Sequence, residues 1–198
     1  MSGSDVTEQL RKFEAELASL RAQCNELQAK DAIMDVLSNY CRGLDRRDPQ
    51  LVASCFHPDA ELDFGVYKGN GEGWAQVATA ALDQFFEGNS FYFMGQSLLR
   101  IEGDVAYCES YHWAPKTVRQ KGEDGHSELW MDGGRYLDRL ERRDGEWRIT
   151  KRVYVSDWEG YFPKSLNGLA PTLLIQLAEK VVVGRRDRQD PSYAFGLA

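Results

Sequence analysis

The chain opens on a narrow apolar seam. Val6, Leu10, Phe13, Leu17, Leu20, Cys24 and Leu27 follow one another at alternating steps of four and three, with Glu, Arg and Gln between them. That spacing is the a/d pattern of a heptad repeat on a helix. A seam so narrow suits a contact between subunits, as a coiled-coil or bundle element. The same stripe also suits a helix that folds back and caps its own domain. A second helical pattern follows in Ala32, Ile33, Val36, Leu37, Tyr40 and Leu44. Its broader apolar face predicts a helix lying against a sheet, ending near Gly43 and Asp48-Pro49. Leu51 to Phe56 reads as a short helix closed by His57-Pro58-Asp59. Ala60 to Val66 reads as a first strand, and Trp74 to Phe86 as a third amphipathic helix.

Beyond that point the pattern switches to strands. Phe91 to Glu102 and Val105 to Trp113 flank a Glu102-Gly103-Asp104 turn. Leu129 to Arg142 and Trp147 to Trp158 flank Arg143-Asp144-Gly145. Gly and Asp accept the backbone angles of tight turns, so both pairs read as hairpins. Helices first and long strands after predict an α+β fold, a curved antiparallel sheet with helices packed on one face. Pro171 to Val183 suits a short helix, and Gly184 to Ala198 an irregular arm.

Composition narrows the range of functions. The chain has 198 residues, 42% of them hydrophobic and 12% aromatic, enough for one substantial core plus an extra element. A net charge of −7 speaks against nucleic-acid and anionic-membrane partners, which call for clustered Lys and Arg. No stretch reaches the roughly 18 apolar residues of a membrane span. The polar start, Met1 to Gln9, lacks the apolar region of a secretory signal, so the cytoplasm is the expected location. The four cysteines, Cys24, Cys41, Cys55 and Cys108, form no C-x-x-C pair and read as reduced thiols. Three scattered histidines do not make a metal site. The Gly-rich stretch Tyr67 to Gly73 lacks the G-K-[ST] ending of a phosphate-binding loop.

Three phrases carry a family resemblance. "NYCRGLDRRDPQLVASCFHPDAEL", "RIEGDVAYCESYHWA" and "GGRYLDRLERRDGEWRITKRVYVSDW" resemble the opening helix pair, the central hairpin and the closing hairpin of SnoaL-like proteins, a branch of the nuclear-transport-factor-2-like superfamily. The resemblance covers about residues 30 to 160. It divides the chain into a heptad helix (1–29), a SnoaL-like domain (30–160) and a C-terminal extension (161–198), and it implies a cone-like sheet around a pocket. The family holds dehydratases, dehydrochlorinases, epoxide hydrolases, cyclases, isomerases and lyases as well as non-catalytic members, so the site has to decide the function.

The resemblance places Asp45 where dehydratase and dehydrochlorinase relatives carry the acidic member of a catalytic dyad. Burial at the mouth of an apolar pocket would raise its pKa toward that of a useful base. Tyr92 falls where those relatives carry a His. A phenol, with a reference pKa of about 10, donates hydrogen bonds well and accepts protons poorly. Arg152 matches an Arg that some relatives point into the cone, where it would hold developing negative charge. The alternative for Arg152 is an ion pair with a strand carboxylate. Strand alternation puts Arg148, Thr150, Arg152, Tyr154 and Ser156 on one face. His112 lies either in the pocket as a substitute base or on the other side of the sheet.

The expectation is therefore a cofactor-independent, metal-free lyase acting on a small hydrophobic, hydroxylated compound of the phenolic type. It would eliminate water or release formaldehyde. Asp45 would be the base, Tyr40 and Tyr92 would orient or protonate oxygen, and Arg152 would hold the anion. Phe64, Trp74, Phe93, Trp113, Trp130 and Tyr154 would form the walls. The rival readings are a non-catalytic binding protein of the same fold and an isomerase or hydrolase of the family. A homo-oligomer, trimer or dimer, is expected from the heptads.

Overall fold

In a computed structural model, which describes residues 3–88, 90–121, 127–163 and 189, the two helices expected at the N-terminus are one. Helix α1 runs unbroken over Gly3–Arg46. The junction, Gln28-Ala29-Lys30-Asp31, holds neither Pro nor Gly, so nothing interrupts the backbone ladder. Only its C-terminal part packs on the domain, through Ala29, Ile33, Leu37, Tyr40, Cys41 and Leu44. Residues 5–28 are exposed throughout, so the helix does not fold back over its own domain.

Asp48 caps the short helix α2 (Pro49–Ser54), its carboxylate accepting from the Leu51 N–H. The chain then enters β1 (Phe56–Asp63) and β2 (Lys68–Gly69). His57, read as a turn residue, is instead a buried strand residue whose Nε2 meets the Glu141 carbonyl at 3.0 Å. Asn70 caps α3 (Gly71–Phe85), which buries Ala75, Ala78, Thr79 and Leu82. Strands β3 (Phe86–Glu87), β4 (Phe93–Glu102), β5 (Val105–Lys121), β6 (Ser127–Arg143) and β7 (Glu146–Pro163) complete the sheet.

The strand order is β2-β1-β7-β6-β5-β3, with β4 also paired to β5. All described ladders are antiparallel except β1–β7, which is parallel, so the sheet is mixed rather than wholly antiparallel. It curls into a half-barrel over the helices. The β6–β7 hairpin turns where expected, with Asp144 and Gly145 both at positive φ (54° and 86°), as its two-residue turn requires.

Strand β5 runs eight residues past its expected end at Trp113 and passes through Pro115. Pro115 falls between the stretch that pairs with β4 and the stretch that pairs with β3. One side of β5 carries no ladder there, so a residue without an N–H is tolerated.

The β6–β7 register slips twice, around Thr150 and around Asp157. Each extra residue resets the alternation. Ile149 and Arg152 are therefore both fully buried, and Tyr154 and Ser156 share the inner face with Arg152. Arg148 does not join them, pairing instead with Glu146 at the surface. Thr150 bonds to Arg139. The suggested helix at Pro171 to Val183, the arm at Gly184 to Ala198 (apart from residue 189) and His126 lie outside the described residues.

Candidate active site

A cavity of about 1070 Å³ opens between α3, the end of α1 and the inner face of β5, β6 and β7. Its walls are largely aromatic. Phe64 and Trp74 stack at 3.7 Å between ring centres, and Phe86 and Trp130 at 5.3 Å. The His112 ring lies flat against Tyr136 at 4.6 Å and tilts against Tyr154 at 5.4 Å. Gly134, opposite His112 in the ladder, makes this layer possible. A Cβ there would come within 2.2 Å of the Val155 carbonyl oxygen and 3.1 Å of the Tyr154 ring.

One polar pair sits inside this apolar shell. Lys116 is buried and donates from Nζ to Asp132 Oδ1 and, at 3.0 Å, to the Ala114 carbonyl. Its ammonium lies 4.8 Å from the Tyr92 ring centre, 4.9 Å from Trp130 and 5.8 Å from Phe86. Such a cage stabilises a cation that has lost most of its water. Burial pushes the Lys116 pKa down, and Asp132 works against that shift.

Alternation along β5 sets His112, Ala114 and Lys116 on one face. His112 is buried, and neither ring nitrogen has a hydrogen-bond partner among the described residues. Burial lowers its pKa to about 4, with Asp132 opposing the shift, so the imidazole is neutral at neutral pH. The Tyr40 hydroxyl accepts a 3.0 Å hydrogen bond from Trp74 Nε1. Burial raises the Tyr40 pKa to about 12 and carries Tyr92 upward too, so both phenols stay protonated.

Of the residues expected at the site, Tyr40, Tyr92, His112, Phe64, Trp74, Trp130 and Tyr154 line the cavity. Phe93 and Trp113 do not. They face each other across the β4–β5 ladder on the outer side of the sheet, 50% and 43% exposed. His112 turns inward, so its strand neighbour Trp113 turns outward.

Asp45 stands behind the wall. Its Oδ1 accepts from the Tyr92 N–H at 3.0 Å and from the Ser90 hydroxyl at 3.3 Å. Burial raises its pKa to about 6, against those two hydrogen bonds and the charges of Arg46 and Arg47.

Arg152 is also one layer back, fully buried, and makes a two-pronged ion pair with Asp138. Its guanidinium carbon lies 4.2 Å from the ring centres of both Tyr40 and Tyr136. Burial alone would lower the Arg152 pKa; the Asp138 charge and hydrogen bonds outweigh it and raise the value.

The sequence reading missed Lys116, Asp132, Tyr136 and Asp138. The signal was there for Lys116 and Asp132. Continuing the period-two pattern from His112 through Pro115 reaches Lys116, and the facing strand offers Asp132.

Residues 25–153 match the SnoaL-like domain family. The chain belongs to that family. No curated protein matches it. Among solved structures it is similar to a putative scytalone dehydratase from Novosphingobium aromaticivorans, at 18% identity over 71% of this chain and 91% of that one, with a TM-score of 0.62. It is similar to a type 2 hexachlorocyclohexane dehydrochlorinase, LinA, at 20% identity over 71% and 93%, with a TM-score of 0.61. The LinA-type3 dehydrochlorinase of Novosphingobium barchaimii shares 20% identity over 71% and 94%, with a TM-score of 0.60. Likeness at this level of identity shows the fold: a SnoaL-like cone. The added N-terminal segment, up to residue 24, lies outside the family match. Among the described residues, no helix is long and apolar enough to cross a membrane, and no group of three or more His, Cys, Asp and Glu could hold a metal.

Proposed function

We propose that this SnoaL-like chain is a cofactor-independent lyase that eliminates water or formaldehyde from a small hydroxylated aromatic compound held in the cavity. The observation that carries the reading is the Lys116–Asp132 ion pair, caged by aromatic rings beside the neutral imidazole of His112, whose ring nitrogens have no hydrogen-bond partner among the described residues. A base, a cation and protonated phenols all face one largely aromatic cavity, so acid–base elimination needs nothing beyond side chains.

The base role expected of Asp45 passes to His112, because His112 faces the cavity and Asp45 faces the Tyr92 backbone. In dehydration, His112 takes a proton from carbon, the electron pair forms the double bond and the C–O bond breaks. Tyr40 or Tyr92 gives the leaving hydroxide its proton, so water departs. In formaldehyde release, His112 takes the hydroxymethyl O–H proton. The C–C bond then breaks, and its electrons pass into a quinone-methide ring, formed by prior loss of a benzylic leaving group, whose carbonyl oxygen becomes a phenolate. Lys116 stabilises that charge, where a placed cation in a water-poor site acts most strongly. Asp132 balances the imidazolium as it forms. Asp45 and Arg152 support the site from behind, through Tyr92 and through Tyr40 and Tyr136 respectively.

The test is product formation by mass spectrometry from a panel of phenolic diols and hydroxylated alicyclic compounds, with chelator present and no cofactor added. Turnover by the wild type and its loss in His112→Gln are expected, and the mass lost separates water from formaldehyde. Saturable binding of the same compounds with no product from the wild type would replace this reading with that of a small-molecule binding protein.

A further inference from the structure

Among the described residues, nothing covers the heptad seam of α1. Val6, Leu10, Phe13, Leu17, Leu20 and Leu27 are between 42% and 66% exposed, although they are the most apolar residues in the segment. At about 100° per residue, this seam lies on roughly the opposite side of α1 from the face formed by Ala29, Ile33, Leu37, Tyr40 and Leu44. The domain that covers one face therefore cannot cover the other. The seam follows a 3.5-residue repeat, which keeps an apolar stripe aligned only along a second helix that supercoils with it.

The geometry points to a parallel, in-register coiled coil between residues 6–27 of this chain and the same segment of a second copy. The flanking charges select both the occupant and its direction. With Leu10, Leu17 and Cys24 at a and Phe13, Leu20 and Leu27 at d, Glu16 falls at g and Arg21 at e. In a parallel pair, g of one helix meets the e five residues on in its partner. Glu16 of each chain then faces Arg21 of the other, twice by symmetry. An antiparallel pair would instead set g against g and e against e. Among the described residues, neither Glu16 nor Arg21 has an ion pair within its own helix, whereas Glu8–Lys12 and Glu26–Lys30 are paired along the same helix.

Register gives a direct readout. Cys24 is the one exposed thiol; Cys41, Cys55 and Cys108 are buried in the domain. In a parallel, in-register pair the two Cys24 side chains meet across the seam, close enough for a disulfide. Diamide would take up the two electrons and two protons released as the S–S bond forms.

The full-length protein would be oxidised with diamide at low concentration, run on a non-reducing gel and weighed by light scattering. Nearly complete covalent dimer is expected from the wild type, and none from Cys24→Ser. Cys24→Ser with Ala22→Cys, which moves the thiol to the outer side of the helix, should not crosslink. Leu17→Asp with Leu20→Asp should abolish the crosslink and reduce the mass. Glu16→Arg or Arg21→Glu alone should slow crosslinking several-fold, and the two together should restore it. An uncrosslinked wild type, equal crosslinking through Ala22→Cys, or crosslinking unaffected by the Asp substitutions would each overturn the inference. Failure of any of these leaves the proposed chemistry untouched, because the seam is remote from the cavity.

Discussion

Asp138 grips Arg152 with both carboxylate oxygens, each at 2.7 Å, and neither side chain has any exposed surface. The pair sits directly beneath Tyr40 and Tyr136, the floor of the cavity. Cross-strand register brings them together, since Asp138 on β6 faces Arg152 on β7. A buried charge that loses its only counter-ion is costly, whereas removing both charges is often neutral.

Asp138→Ala should therefore cost about 3–5 kcal/mol, seen as a fall of several to many degrees in the thermal unfolding midpoint, at roughly 2–4 °C per kcal/mol. Asp138→Leu combined with Arg152→Met should recover most of that loss. If the double variant unfolds as early as the single one, the pair contributes more than charge neutralisation. If Arg152→Met keeps its stability and loses only turnover, Arg152 acts on the substrate directly.

Two buried groups at the site titrate in opposite senses. The folded pKa of His112, about 4, lies below its ordinary 6.5, so in that window the unfolded chain binds a proton that the folded chain lacks. Its contribution to stability is lost as pH falls from 6.5 toward 4. The folded pKa of Asp45, about 6, lies above its ordinary 3.8, so there the folded chain holds the extra proton, and stability is gained as pH falls from 6 toward 3.8. The two slopes largely offset each other in the wild type. Relative to wild type, Asp45→Asn should lose stability as pH falls from 6 to 4, and His112→Gln should gain it. Urea midpoints measured at several pH values between those limits check both signs, and the same slope in both variants would contradict the assignment.

In the proposed elimination, Lys116→Met would remove the cation that faces the developing oxyanion. Its expected effect is a fall in kcat of about a hundred- to a thousand-fold with little change in KM. Circular dichroism matching the wild type would confirm that the fold survives. On the acid side, kcat/KM of the wild type should fall as His112 protonates, around pH 4. A Lys116→Met enzyme with normal kcat would remove Lys116 from the chemistry.

Much of the fold was legible because it is local. The heptad seam of α1, the short helix after Asp48-Pro49, the amphipathic third helix and the Arg143-Asp144-Gly145 turn follow from periodicity and turn chemistry within a few residues, whereas the Asp48 and Asn70 caps were found only in the structure. The inward placement of Tyr40, Trp74 and Trp130 follows likewise, each on the apolar phase of its element. Extending Val105 to Trp113 through Pro115 would have reached Lys116 as well.

By itself, then, the sequence determined the element types, the seam and the aromatic stock of the cavity, because helix and strand periods are written into neighbouring residues. Tertiary structure alone decided which polar groups meet. The slips at Thr150 and Asp157 arise from pairing with β6, and each one-residue slip exchanges the faces of the strand beyond it. That is why Arg148 is outside and Arg152 is buried on Asp138. The parallel β1–β7 pairing and the setting of Asp45 behind Tyr92 depend likewise on contacts between distant segments, which no local period encodes.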